Sequence, residues 1–418
     1  MSQTLFDHLG HAPATGHATP VLVSTVDRTV AIDPAHAEVL VDPGGADDLA
    51  AAVDGALAAA GPGTVVAGAV PFRHGRAARG NVRDVVRGVE RGVERDVEHG
   101  RADDAARLVV GSDIGHVVHG DVRAGLLGRA LLGSPDEVRR ARWRHLAGES
   151  PAEHARRVDR LLRAMPPARV DKAVLARRVT LASDAGIDVG RVLDRLARHD
   201  PAATVFAVPL ADGGTFVGAS PELLVERRGA LVTTHPLAGS VPRHPDPRVD
   251  RERGERLLGS PKDLREHAYV VDDIVERLLP WCTQVEVDGP DLRRTERMWH
   301  LGSTICGTLR DRSTGAARIA LHLHPTPAVA GTPTQAAVRL LADVEHAERG
   351  YYAGAVGWQD ADGDGCWAVA IRCARIDADL RRVQLYAGGG IVAGSDPAAE
   401  AAETEAKMKT MLDALEVD

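Results

Sequence analysis

The spacing of apolar residues changes near residue 165. Before it, short Val-rich runs such as Thr64-Val65-Val66-Ala67-Gly68-Ala69-Val70 predict buried strands within an Ala- and Arg-rich, Gly-punctuated stretch. Val82, Val85, Val86, Val89, Val93 and Val97 recur at near-helical spacing among Arg, Glu and Asp and are interrupted by Gly88 and Gly92. That pattern predicts a solvated helix or partly ordered insertion, and its alternating acids argue against a nucleic-acid arm. Residues 1–165 carry no assignable chemistry and are taken as the amino-terminal part of the fold.

From about Val170 the pattern becomes strand pairs alternating with capped helices. Thr204 to Leu210, then Asp212-Gly213-Gly214, then Thr215 to Gly218, reads as a hairpin by its turn residues. Tyr352 to Trp358 and Trp367 to Arg372, joined by Asp360 to Gly365, read as a second. Helices are predicted to start at Ser260-Pro261-Lys262-Asp263 and at Ser395-Asp396-Pro397, each with a capping side chain and an early proline. The expectation is an α+β protein with large antiparallel sheets, compact overall, with residues 166–418 as its catalytic region.

Composition removes several function classes. The net charge of -8 and pI near 6.1 offer no general basic surface, so nucleic acid is not an expected partner. Cys282, Cys306, Cys366 and Cys373 are too few and too scattered for a disulfide framework or a Cys-rich zinc site. The start MSQTLFDHLG does not look like a signal peptide, and no run approaches the ~18 apolar residues of a membrane span. The expected setting is the cytoplasm, without membrane association.

A dense set of motifs fills the carboxy-terminal half. In order they are Asp171-Lys172, Gly218-Ala219-Ser220-Pro221-Glu222, Pro236-Leu237-Ala238-Gly239-Ser240, and Lys262 to His267. Trp299-His300-Leu301, His324 to Pro333, Ala370-Ile371-Arg372, Tyr386 to Val392, and Glu400 to Lys407 follow. Over residues 170–412 this series resembles the chorismate-utilising family of isochorismate, salicylate, anthranilate and aminodeoxychorismate synthases. The resemblance implies that family's fold, antiparallel sheets packed as a sandwich with helices outside, and chorismate as substrate.

Moving a hydroxyl between ring carbons needs one group to deprotonate water and another to protonate the departing hydroxyl. The resemblance makes Lys172 the base and Glu222 the acid, which requires Lys172 to be shifted down and Glu222 up. In isolation they would read as a surface ion pair and a strand-end acid; the motif context reverses that. Glu400 and Glu403 lie at i and i+3 with Lys407 on the same helical face, and Glu266 sits on the other capped helix. The apolar positions Leu264, Val271, Val275 and Leu278 are expected to leave Glu266 off the buried stripe. Such carboxylates suit Mg2+ better than zinc.

Arg372 is expected to grip a substrate carboxylate and Lys407 to add a point charge. Gly388, Gly389 and Gly390 are read as following a strand and exposing backbone N–H groups to an anion. The resemblance also places Gly239, Ser240, His300, Ala328 and Tyr352 near the substrate. Two apparent metal motifs are set aside. Asp360 to Gly365 opens like a calcium loop but has Ile371 at the twelfth position and reads as a hairpin turn. His322 and His324 are expected to point the same way from one strand.

Three positions separate the family's reactions by resemblance. Lys172 stands where ammonia-using members have glutamine, Ala238 where aminodeoxychorismate synthases have lysine, and Ala328 where salicylate synthases tend to have threonine. The expected activity is an isochorismate synthase acting as a monomer without a glutamine amidotransferase subunit. Salicylate synthase is the alternative, and a non-catalytic chorismate-fold binding protein is the alternative of another class. Whether the product feeds a siderophore, menaquinone or salicylate pathway is set by neighbouring genes.

Overall fold

The strand Thr204–Pro209 is buried at every residue, and its alternate side chains enter two different cores. Phe206 and Val208 face one apolar cluster, Val205 and Ala207 another. Thr215–Ser220 repeats the division, with Phe216 on one side and Val217 and Ala219 on the other. A strand covered on both faces loses the usual polar alternation, which explains the continuous apolar runs. The computed structural model describes residues 21–25, 28–32, 38–40, 45–72, 106–112 and 141–417. The valine repeat at residues 82–101 lies outside them.

Two large sheets of antiparallel pairs carry the fold, nine-stranded and ten-stranded among the described residues. The first runs Gly331–Thr332, Lys172–Ser183, Arg382–Val392, Cys373–Ile376, Thr215–Ser220, Thr204–Pro209, Val21–Ser24, Thr29–Ile32, with Trp143–Gly148 also paired to Lys172–Ser183. The second runs Leu237–Pro242, Met298–Leu309, Leu231–His235, Leu223–Arg228, Gly365–Val369, Ala355–Asp360, Thr64–Val70, Arg107–Ser112, Glu38–Leu40, with Cys282–Arg294 against Met298–Leu309. The main core lies between them and draws on both, from Val21, Phe206 and Phe216 on one side to Val66, Val356 and Trp367 on the other. Strands before residue 113 therefore complete the same sheets that the later residues build.

Helices Val189–His199 and Pro397–Leu415 cover the first sheet's other face through Leu193, Leu196, Met408 and Met411. The predicted caps form: Ser260 Oγ accepts from Asp263 N–H ahead of Pro261–Leu278, and Asp396 accepts from Ala399 N–H ahead of Pro397–Leu415. The hairpin joining Thr204–Pro209 to Thr215–Ser220 forms, and Asp360 to Gly365 is the turn between Ala355–Asp360 and Gly365–Val369. No helix among the described residues is long and apolar enough to cross a membrane.

The histidine pair corrects the sequence reading. Residues Ala316–Leu323 form a helix, so His322 lies in its last turn and His324 caps it. His322 Nε2 contacts Arg277 O at 3.2 Å and His324 Nε2 contacts Phe72 O at 3.3 Å, so the two rings serve different neighbours. The run is mostly buried on more than one side, which made its period ambiguous.

Candidate active site

The chain crosses between the sheets twice in adjacent places, and each crossing holds one of the candidate side chains. Glu222 lies between Thr215–Ser220 of the first sheet and Leu223–Arg228 of the second. Arg372 lies between Gly365–Val369 of the second and Cys373–Ile376 of the first. Because these strands pair with one another on both sides, the crossings run together. Val369 N–H donates to Glu222 O at 3.1 Å, and Ala219 N–H donates to Arg372 O at 3.1 Å. Arg372 has φ 51, a left-handed conformation a side chain takes only when its surroundings impose it.

Glu222 is buried, and burial pushes its carboxyl up to about 7 against the opposing charge of Lys172. Lys172 opens the strand Lys172–Ser183 and is fully buried, with Nζ 3.2 Å from Glu266 Oε1. On the neighbouring strand Lys172 pairs with Val392, and Gly390, two residues earlier, is glycine for a steric reason. A Cβ on Gly390 would lie 1.9 Å from Glu266 Oε1 and 3.1 Å from Lys172 Cε. Gly390→Ala is therefore expected to cost about 1–3 kcal/mol by overpacking, while Gly186→Ala, with open space at its Cβ, stays within about 0.5 kcal/mol. Denaturant titration of both variants checks this.

The outer edge of the Lys172 strand is held by side chains. Gly331–Thr332 pairs with its first two residues and Trp143–Gly148 with residues 179–183. In the gap, Ala176 N–H donates to Glu345 Oε1 at 2.9 Å, Arg157 donates to Ala176 O at 2.8 Å, and Arg349 donates to Val174 O at 2.5 Å. Arg349 also donates to Val329 O at 2.7 Å, tying the segment that carries Ala328 to the same strand. Glu345 and Arg349 are paired at 2.5 Å and buried among these groups. These hydrogen bonds replace a missing ladder and hold the strand that carries Lys172.

The three acids assigned to a metal each face a lysine: Glu266 faces Lys172, Glu400 meets Lys262 at 2.9 Å, and Glu403 meets Lys407 at 2.5 Å. Among the described residues no three His, Cys, Asp or Glu side chains converge in this arrangement. Burial and the Glu403 charge raise Glu400 above its usual value. Burial opposes the Glu403 charge as well, but Lys407 and Ser240 outweigh it and hold that carboxyl low; Ser240 Oγ donates to it at 2.6 Å. Glu400 Oε2 is buried without a hydrogen-bond partner among the described residues. An all-oxygen donor set, an orphaned buried oxygen and two mutually repelling carboxylates suit a hard divalent cation.

Arg372 and Lys407 make the cationic side of the cleft, with His300 beside Arg372. Burial, then the charges of Arg372 and Lys407, pulls His300 well below its usual value, and its Nε2 lies 3.4 Å from an Arg372 guanidinium nitrogen. Burial lowers Arg372 to about 10, still charged at neutral pH. Lys407 Nζ also donates to Gly388 O at 2.9 Å. Tyr352 stacks on Tyr386 with centroids 5.2 Å apart. Gly239, at φ 80, makes the bulge that lets its strand approach Asp263.

Glu222, Gly239, Ser240, Glu266, His300, Ala328, Tyr352, Arg372, Gly390, Glu403 and Lys407 all border one cleft, and Lys172 reaches it through Glu266 and Gly390. Two expectations need correction. Gly388, Gly389 and Gly390 do not follow a strand; they lie within Arg382–Val392, paired with Ala176, Leu175 and Val174. Alternation turns Gly388 and Gly390 to the cleft and Gly389 away, toward Glu400. Glu266 is not off the buried stripe, because Glu266, Val270, Ile274 and Leu278 form the buried face of their helix. Lys262, Arg157, Glu345 and Arg349 had no assigned role; the i, i+4 spacing of Glu345 and Arg349 was the available signal.

Residues 133–416 match the family described as chorismate binding enzyme, and the chain belongs to that family. It is 45% identical over 275 residues to isochorismate synthase DhbC of Bacillus subtilis, covering 64% of this chain and 69% of that one. It is 44% identical over 244 residues to isochorismate synthase EntC of Escherichia coli, covering 58% and 62%. The solved structure of DhbC from Bacillus anthracis superposes with a TM-score of 0.80 at 29% identity, covering 100% of both chains.

Proposed function

We propose that this chain is an isochorismate synthase, converting chorismate to isochorismate by adding water at ring carbon 2 with loss of the hydroxyl at carbon 4. The observation that carries the reading is Glu222, a buried acid at about 7 bordering the cleft fed by the buried amine of Lys172. Lys172 takes a proton from the attacking water, and Glu222 gives one to the leaving hydroxyl, so water is both consumed and released. Arg372, with His300 as a neutral neighbour, and Lys407 hold the substrate carboxylates. The names of the relatives support the same chemistry.

Glu266, Glu400 and Glu403 are the residues that would hold magnesium, which supplies positive charge against the dianionic substrate. The protein acts in this reading as a cytoplasmic monomer, and with water as nucleophile it needs no amidotransferase subunit. Incubation with chorismate and magnesium, followed by chromatography, should give isochorismate and chorismate in a stable ratio. Salicylate and pyruvate as the dominant early products would overturn the assignment.

A further inference from the structure

Beside the catalytic cleft is a larger cavity of about 520 Å³, walled by helix Pro151–Ala168, the end of Trp143–Gly148 and residues 346–349. Six arginines line it, Arg156, Arg157, Arg160, Arg177, Arg178 and Arg349, against three glutamates, Glu149, Glu153 and Glu348. Three of the arginines are committed: Arg157 to Glu149, Arg177 to Glu405 and Arg349 to Glu345. Glu153 is engaged by Ser150 in the helix cap. That leaves Arg160 and Arg178 outside any ion pair among the described residues, while Arg156 acts on the Glu153 charge. Counted with Glu345 and Glu405, six arginines meet five carboxylates, and on a chain of net charge -8 this small positive excess around a cavity suits an anion.

Two further observations concern the cavity wall. Arg157 is buried, yet its Nε has no hydrogen-bond partner among the described residues, a donor whose desolvation is uncompensated. Tyr386 lines both this cavity and the catalytic cleft. On the Lys172 strand, Lys172, Val174, Ala176 and Arg178 share one face by the two-residue period, and Arg178 lies across from Tyr386. Val174 borders the cleft, so Arg178 sits about 13 Å farther along the same row.

We propose that this arginine-lined cavity is a second anion site, a vestibule that collects a small dicarboxylate, the substrate or product of the neighbouring cleft, beside Tyr386. The identity of the dicarboxylate rests on the proposed function; the anion site itself rests on the arginines.

The test compares the full chain with Arg156→Gln/Arg160→Gln/Arg178→Gln, whose exposed side chains keep their stems and lose only charge. With chorismate at low ionic strength, KM should rise about tenfold in the variant while kcat stays within about twofold, the size of effect electrostatic capture gives. The difference should vanish at 1 M salt, where screening acts over about 3 Å. In a second arm, calorimetry without metal should detect citrate binding to the unmodified chain and a clear loss in the variant. An unchanged KM and salt dependence, a fall in kcat alone, or equal citrate binding by both proteins overturns the proposal. If the unmodified chain does not turn over chorismate, the functional reading fails, and the citrate arm still decides the anion site.

Discussion

Glu222→Gln should lower kcat by roughly 10²–10⁴, the usual worth of a positioned acid, with a much smaller change in KM. In the proposed reading, substrate binding rests on magnesium, Arg372 and Lys407, which the substitution leaves in place. The pH profile tests the assignment more sharply. Burial raises Glu222 from 4.5 to about 7, so the proton to be donated is present below that value and is lost as pH rises through it. The rate should fall on the alkaline side near 7, and Glu222→Gln should flatten that limb along with the rate. Lys172→Gln should remove the base and cost a similar factor, and at high ammonia and alkaline pH it should favour amine addition, since that nucleophile needs no base. Full isochorismate formation by Lys172→Gln would transfer the role of base to another group.

Chelation should bring turnover to background, and magnesium should restore it in the unmodified chain only. Glu400 and Glu403 repel each other in a buried setting and would also repel a dianionic substrate, a term of several kcal/mol at short range in a partly buried site. Glu403→Ala leaves Lys407 without its 2.5 Å partner and removes an oxygen from the proposed donor set. Restoration by magnesium should then fail, although Lys172 and Glu222 are untouched. Turnover that survives exhaustive chelation would show that Lys262 and Lys407 neutralise the acids well enough alone.

What the sequence revealed and concealed follows from the range of the interactions involved. The Asp212-Gly213-Gly214 hairpin and the caps at Ser260 and Asp396 depend on neighbours within a few residues, and they formed as read. The cleft residues were legible because the motifs around them are dense and ordered. Failure came where tertiary packing decides. Three consecutive glycines look like a loop, yet Gly388 to Gly390 lie in a strand, and Gly388 and Gly390 are glycines because Tyr352 and Glu266 occupy the space their side chains would take. Glu266 was assigned to the solvent side because Leu264, Val271 and Val275 suggested another stripe, and its burial is compensated by Lys172, a residue ninety-odd positions earlier. The edge pairing of Glu345, Arg349 and Arg157 follows from which strands stop short along Lys172–Ser183.

Glu222 and Arg372 belong to neither sheet, and that places them late in the molecule's assembly. Each is fixed by two strands in one sheet and two in the other, drawn from segments far apart in sequence. Closing that separation carries the loop entropy of a long-range contact, so it follows the local hairpins on the folding path. A chain that has formed only its hairpins and helices has secondary structure but has not brought Glu222 within reach of the Lys172 charge. Catalytic competence is therefore a property of the finished tertiary structure, acquired in one step when the two crossings meet.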